Sequence, residues 1–164
     1  MKNIIIAGLV SLAISLPGLT SAQSKGDEKK AAITNLINNQ SYVFTAQSSM
    51  PPGPSPDRQL NGNYDLTVTK DSVISYLPYF GRAYTAPMDP TKGGIQFTST
   101  KFDYKVTEKK KGGWTIVIKP KDTQEASQLI LNVSTAGYTS LQVIGINRQP
   151  IIFNGVIDAR KSKK

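Results

Sequence analysis

From Tyr64 to Ile157 the chain alternates apolar and polar residues in short runs, and a turn signal closes nearly every run. Tyr64, Leu66 and Val68 alternate with Asp65, Thr67 and Thr69, and Phe102, Tyr104 and Val106 alternate with Asp103, Lys105 and Thr107. Trp114, Ile116 and Ile118 repeat the pattern, as do Leu129, Leu131 and Val133. Neighbouring side chains on a strand point to opposite faces, so a period of two marks strands with one face in a core and the other in water. The punctuation is Lys70 to Ser72, Lys111 to Gly113, Pro120 to Thr123, Ala136-Gly137 and Asn147 to Pro150. Connections this short leave no room for crossover helices, so neighbours in sequence should pair antiparallel.

Further strands are expected at Tyr42–Gln47, Val73–Leu77, Ile95–Thr98, Tyr138–Ile144 and Ile151–Ile157, with a proline-rich loop over Met50–Asp57. One segment breaks the period. Residues 27–39 read as a helix, with Asp27 as its N-cap, Ala32, Ile33, Leu36 and Ile37 on one apolar stripe, and Asn38-Asn39 as its stop. The expected fold is mainly β with this one N-terminal helix, an antiparallel meander of about eight or nine strands. So many strands must hide their apolar faces and edges. A sheet curled into a barrel-like, lipocalin-like form does so, and a two-sheet β-sandwich is the alternative.

The chain has 164 residues, enough for one domain with a packed core. Its first 22 residues read as a signal peptide: Lys2, an apolar run from Ile4 to Leu16, Pro17-Gly18, and small residues before a cleavage site near Ala22-Gln23. The remainder, 23–164, reads as a single domain ending in a basic tail at 160–164. A periplasmic or secreted location is therefore expected, with no transmembrane segment in the mature chain. No cysteine is present to form a lipobox.

The absence of cysteine removes disulfides and thiolate chemistry, and the absence of histidine removes the imidazole base and imidazole-ligated metals. No cofactor and no metal are expected. Net charge is +9, concentrated at Lys29-Lys30, Lys109 to Lys111 and the tail. These clusters suit a helix end, a hairpin tip and a solvated terminus, so no nucleic-acid partner is expected. The acidic residues lie mostly at turns or on presumed solvent faces, and no paired carboxylates stand in an apolar context suited to acid–base work. Catalysis is not the expected use of this chain.

The one stretch that looks like a site is Tyr76 to Tyr84, continued by Thr85 to Gly94. Tyr76, Tyr79, Phe80 and Tyr84 could stack on a sugar or an apolar ligand, and Arg82 could grip a carboxylate or phosphate. The structural alternative is that Leu77-Pro78 ends a strand, Gly81 permits a bend, and the rings plug one end of the barrel around a buried arginine. The segments Ser72–Tyr84, Gly93–Phe97, Lys109–Thr115 and Asn147–Gly155 together resemble the domain of unknown function 4251 family, exported proteins of Bacteroidota. The resemblance covers essentially the whole chain after the leader. It implies an exported, mainly β domain with no activity to carry over. The function expected is that of a non-enzymatic envelope accessory protein, whose partner is a small ligand or an envelope protein.

Overall fold

The computed structural model describes residues 20–53, 56–84 and 93–160; the expected leader lies largely outside them, as do residues 85–92 and the tail beyond Arg160. One helix, α1 (Thr20–Asn38), precedes ten strands. They are β1 (Tyr42–Met50), β2 (Arg58–Gln59), β3 (Asp65–Val68), β4 (Val73–Leu77), β5 (Ile95–Ser99), β6 (Phe102–Glu108), β7 (Trp114–Pro120), β8 (Ala126–Val133), β9 (Tyr138–Gly145) and β10 (Ile151–Ala159).

All strands belong to one sheet of order β5-β4-β3-β1-β10-β9-β8-β7-β6, with the short β2 hanging on β1. The sandwich alternative is thereby excluded: one hydrogen-bonded sheet curls into a nearly closed barrel with a single unsealed seam. Every neighbouring pair is antiparallel, and, with the short β2 left aside, all but one join successive strands of the meander. The exception is β1 with β10, which pairs Tyr42 with Ala159 and runs on to Met50 opposite Ile152. This contact between the two ends of the chain turns a linear meander into a barrel.

The β1–β10 pairing depends on a close approach. Register slips between Ala46 and Ser48, a bulge that bends β1 against its partner. A Cβ placed on Gly155, opposite Ala46, would collide with the Thr45 carbonyl oxygen. Gly155 is therefore needed for its lack of a side chain.

The seam follows from parity. Nine strands in antiparallel sequence leave the first and last, β5 and β6, running in the same direction. Thr100 and Lys101 alone separate them. The two act as halves of one kinked strand, the first bonded to β4 and the second to β7. Asp122, in the β7–β8 turn, clasps the kink. Its carboxylate accepts hydrogen bonds from the Ser99 hydroxyl, the Thr100 and Lys101 amides (2.9 and 3.1 Å) and the Thr100 hydroxyl. These bonds hold its carboxyl at about 2, well below the ordinary range.

Inward residues of β1, β3 to β5 and β7 to β10 form the core: Phe44, Leu66, Val68, Val73, Ile116, Ile118, Leu129, Leu131, Leu141 and Phe153 are fully buried. On β6, by contrast, the inward Phe102, Tyr104 and Val106 are only half-buried, because the seam beside them is open. The helix covers one barrel end with Ile33 and Ile37, while Ala32 of the expected stripe faces solvent. It begins at Thr20, seven residues before the expected start, so Asp27 lies inside the helix rather than at its N-cap. Nothing between Thr20 and Gly26 stops it, since a single glycine costs a helix only about 1 kcal/mol. The C-terminal stop is Gln40, at φ 49°. Its amide bonds the Ile37 carbonyl and the Ser41 amide bonds that of Leu36, the pair of bonds that closes a Schellman cap. Below it Tyr104 donates to the Ile37 carbonyl and lies 3.3 Å from the buried Tyr42 hydroxyl, and burial pushes the Tyr104 phenol up to about 12.

Two other expectations change in detail. The loop expected from Met50 loses that residue to β1, and Arg58 and Gln59 add a short strand beyond its prolines. Asp65, expected on a solvent face, is half-buried on β3, and this burial raises its carboxyl above the ordinary value.

Gly155→Ala should destabilise the protein by more than about 3 kcal/mol in urea unfolding, because the clash is with backbone and cannot be relieved by a rotamer. A cost within about 0.5 kcal/mol would show that the closure does not need this approach. For Asp122 the folded carboxyl titrates at about 2 and the unfolded one at about 4. Its contribution is thus present above pH 4 and lost as pH falls through that window. Asp122→Asn should lower the thermal midpoint at neutral pH and flatten the fall in stability between about pH 4 and 2.

Candidate functional site

The phrase Tyr76–Tyr84 leaves β4 at Leu77 and crosses to the β9–β10 hairpin, at the barrel end away from the helix. Ala83 forms a β-bridge with Arg148; the Tyr84 amide bonds the Asn147 carbonyl at 2.8 Å, and the Gln149 amide bonds that of Arg82 at 3.2 Å. The Tyr79 ring folds back beneath this loop. Its hydroxyl is shared between the carbonyls of Arg82 (2.8 Å) and Gln149 (3.1 Å), and burial raises its phenol above the ordinary value. A Cβ on Gly81 would strike that hydroxyl, so this glycine makes room for the Tyr79 side chain as well as for the bend.

A largely buried arginine side chain does sit in this end of the barrel, but it is that of Arg148 and not Arg82. Arg148 lies 4.9 Å over the Tyr79 ring, donates to the Gly94 carbonyl at 2.9 Å and pairs with Glu125 at 2.6 Å. Its side chain is 13% exposed. One guanidinium thereby ties together the segment after β4, the entry to β5, the β7–β8 turn and the β9–β10 hairpin. Its planar fork and flat face let it serve a carboxylate, a carbonyl and a ring at once. Local sequence could not reveal this node, because Arg148 stands in a turn with its partners 23, 54 and 69 positions away (148 − 125, 148 − 94, 148 − 79).

The other four singled-out residues point outward. Tyr84 is 71% exposed, Tyr76 50% and Phe80 37%, and Arg82 is exposed as well. Tyr76 stacks on Tyr64, with centroids 6.0 Å apart and planes 17° from parallel, and Arg58 lies 4.9 Å over the Phe80 ring. The segment is thus split by role. Tyr79 and Gly81 build the loop, whereas Tyr76, Phe80, Arg82 and Tyr84 lie on its outer surface with Arg58 and Tyr64 beside them. The signal for Arg58 was weak, since it follows the prolines in a stretch read as loop. Among the described residues no three acidic side chains converge as a metal site would require. No helix among them is long and apolar enough to cross a membrane.

The family model of DUF4251, a domain of unknown function, matches residues 24–157. The chain belongs to this family. A crystal structure of a DUF4251 family protein from Bacteroides eggerthii superposes with a TM-score of 0.61 at 13% identity, covering 84% of this chain and 91% of that one. At that identity the likeness concerns the fold, and the DUF4251 barrel is common to both. No curated protein matches the chain.

The split of roles is measurable. Tyr79→Phe removes a shared hydrogen bond from the loop anchor while keeping the ring under Arg148, and should cost about 0.5–1.5 kcal/mol. Tyr84→Ala should stay within about 0.5 kcal/mol of the parent. Urea unfolding of the two variants checks both; equal costs would mean that Tyr79 is not the anchor.

Proposed function

We propose that this DUF4251 protein is an exported, non-catalytic accessory domain of the bacterial envelope that docks onto a partner protein through Tyr76, Phe80, Arg82 and Tyr84. The observation that carries this reading is the exposure of two aromatic rings and an arginine on a loop fixed from beneath by Tyr79 and Arg148, next to the exposed Tyr76 at the end of β4. Tyrosine and arginine are the side chains that most often dominate protein interfaces, and a pre-ordered loop reduces the entropy lost on docking. Exposed side chains spread over a strand and a loop favour a partner protein over a small ligand, which would need a concave site. With Arg58 and Arg82 both present, the partner face should carry carboxylates.

The reading also includes removal of residues 1–22 on export, without lipid attachment, and it is supported by the leader-like composition of that segment and the lack of cysteine.

Two measurements test the proposal in the native host. Fractionation with N-terminal sequencing should recover a chain beginning at Gln23 outside the cytoplasm; a cytoplasmic chain that keeps Met1 would refute export. A photo-crosslinking amino acid at position 84 should give one discrete adduct that disappears with Arg82→Ala, whereas the same group at the exposed Lys30 of α1, at the opposite barrel end, should give none. Identical patterns from both positions would remove the docking surface.

A further inference from the structure

A second surface, away from the Tyr76–Tyr84 loop, carries side chains that the barrel does not need for its own packing. On the outer face, register sets Thr115 opposite Asn132, Asn132 opposite Ser140, Ser140 opposite Asn154 and Asn154 opposite Ser48. Strands lie roughly 4.8 Å apart, so this row of amides and hydroxyls extends for about 19 Å across five strands. The next outward row is apolar apart from one glutamine: Val117, Ile130, Gln142, Ile152 and Met50. The bulge in β1 adds one more polar group, because it turns both Gln47 and Ser48 outward.

Over the polar row lies an open groove of about 470 Å³, lined by Gln47, Asn132, Ser140 and Asn154 together with Tyr138 and Lys109. Tyr138 is 65% exposed and offers a ring beside the row. No acid lines the groove; Lys109 lines it, and Lys29 Nζ of α1 stands 5.9 Å from the centroid of the Tyr138 ring. The amides retain hydrogen-bonding capacity: Asn132 Oδ1 accepts from Thr115 at 3.1 Å, and Asn154 Nδ2 faces the Met50 sulfur at 3.3 Å, a weak acceptor.

Side-chain amides and hydroxyls can donate and accept at once, which suits a ligand whose own groups are hydroxyls. The exposed Tyr138 ring suits a C–H face of the same ligand. A pyranose chain presents both surfaces, hydroxyls at its rim and C–H groups on its faces. We propose that this groove binds a neutral oligosaccharide, laid across β7 to β10 and β1 with its hydroxyls on Asn132, Ser140 and Asn154 and a sugar face on Tyr138. An acidic glycan would engage Lys109 and Lys29 at the groove's edge rather than the row of amides, and an apolar ligand would strand those amides without partners.

The test is an array of neutral and acidic oligosaccharides probed with the purified protein, followed by titration calorimetry with the neutral sugar that binds best. Asn132→Ala combined with Asn154→Ala should weaken binding by about tenfold or more, with the thermal midpoint unchanged; Ser140→Val serves as a second variant if the pair folds poorly. Tyr84→Ala should leave binding unaltered, which separates this groove from the docking loop. Lys109→Ala, Lys29→Ala and added salt should each change it less than about twofold. The proposal fails if no neutral oligosaccharide binds, if only acidic ones bind, or if sugar binding survives in both Asn132→Ala/Asn154→Ala and Ser140→Val.

Discussion

The pairing of β1 with β10 is the contact on which the rest of this molecule depends. A meander of short hairpins forms from local contacts alone, yet it would remain an open, twisted sheet with an apolar face in water. Bringing Tyr42–Met50 against Ile151–Ala159 joins two segments more than a hundred residues apart and closes the core on all sides but one. Gly155 and the bulge at Gln47 let the two backbones meet. The same bulge turns polar groups of β1 onto the outer face, so the device that closes the barrel also shapes the groove above it.

The remaining seam is handled differently. Antiparallel pairing allows an even number of strands to close, and the kinked strand made of β5 and β6 resolves the odd count by serving β4 with one half and β7 with the other. Asp122 holds the kink by meeting four donors with one carboxylate. The two ends of the barrel are covered by unlike means. The helix covers one with buried isoleucines, whereas at the other Arg148 binds four segments and frees the outer rings of the Tyr76–Tyr84 loop to face solvent.

Much of the strand pattern was legible because burial on one face imposes a period of two, visible in residues such as Leu129, Leu131 and Val133. The strand halves β5 and β6 were legible as strands, but their shared direction was not, since it depends on counting round a closed ring. Within the candidate site, Tyr79 could not be told apart from Tyr76 or Tyr84: all three are tyrosines in one irregular phrase. Their roles separate only when the β9–β10 hairpin comes alongside and supplies the Gln149 carbonyl and Arg148. The misplaced helix start has a similar cause. Asp27 is a good N-cap residue, but residues before it do not oppose helix, and a cap signal marks a boundary only where the preceding chain turns away.

The sequence by itself determined the β-rich class, the meander, the amphipathic helix and the chemistries closed by lacking cysteine and histidine. Those are properties of single residues or near neighbours, and short-range patterning encodes them directly. Tertiary structure alone decided that Arg148 and not Arg82 has the largely buried side chain, that Asp122 clasps the seam, and that Asn132, Ser140 and Asn154 share one row. Each of these depends on register between strands distant in the chain. A strand's own pattern shows which face is buried, but not which residue of another strand will lie opposite.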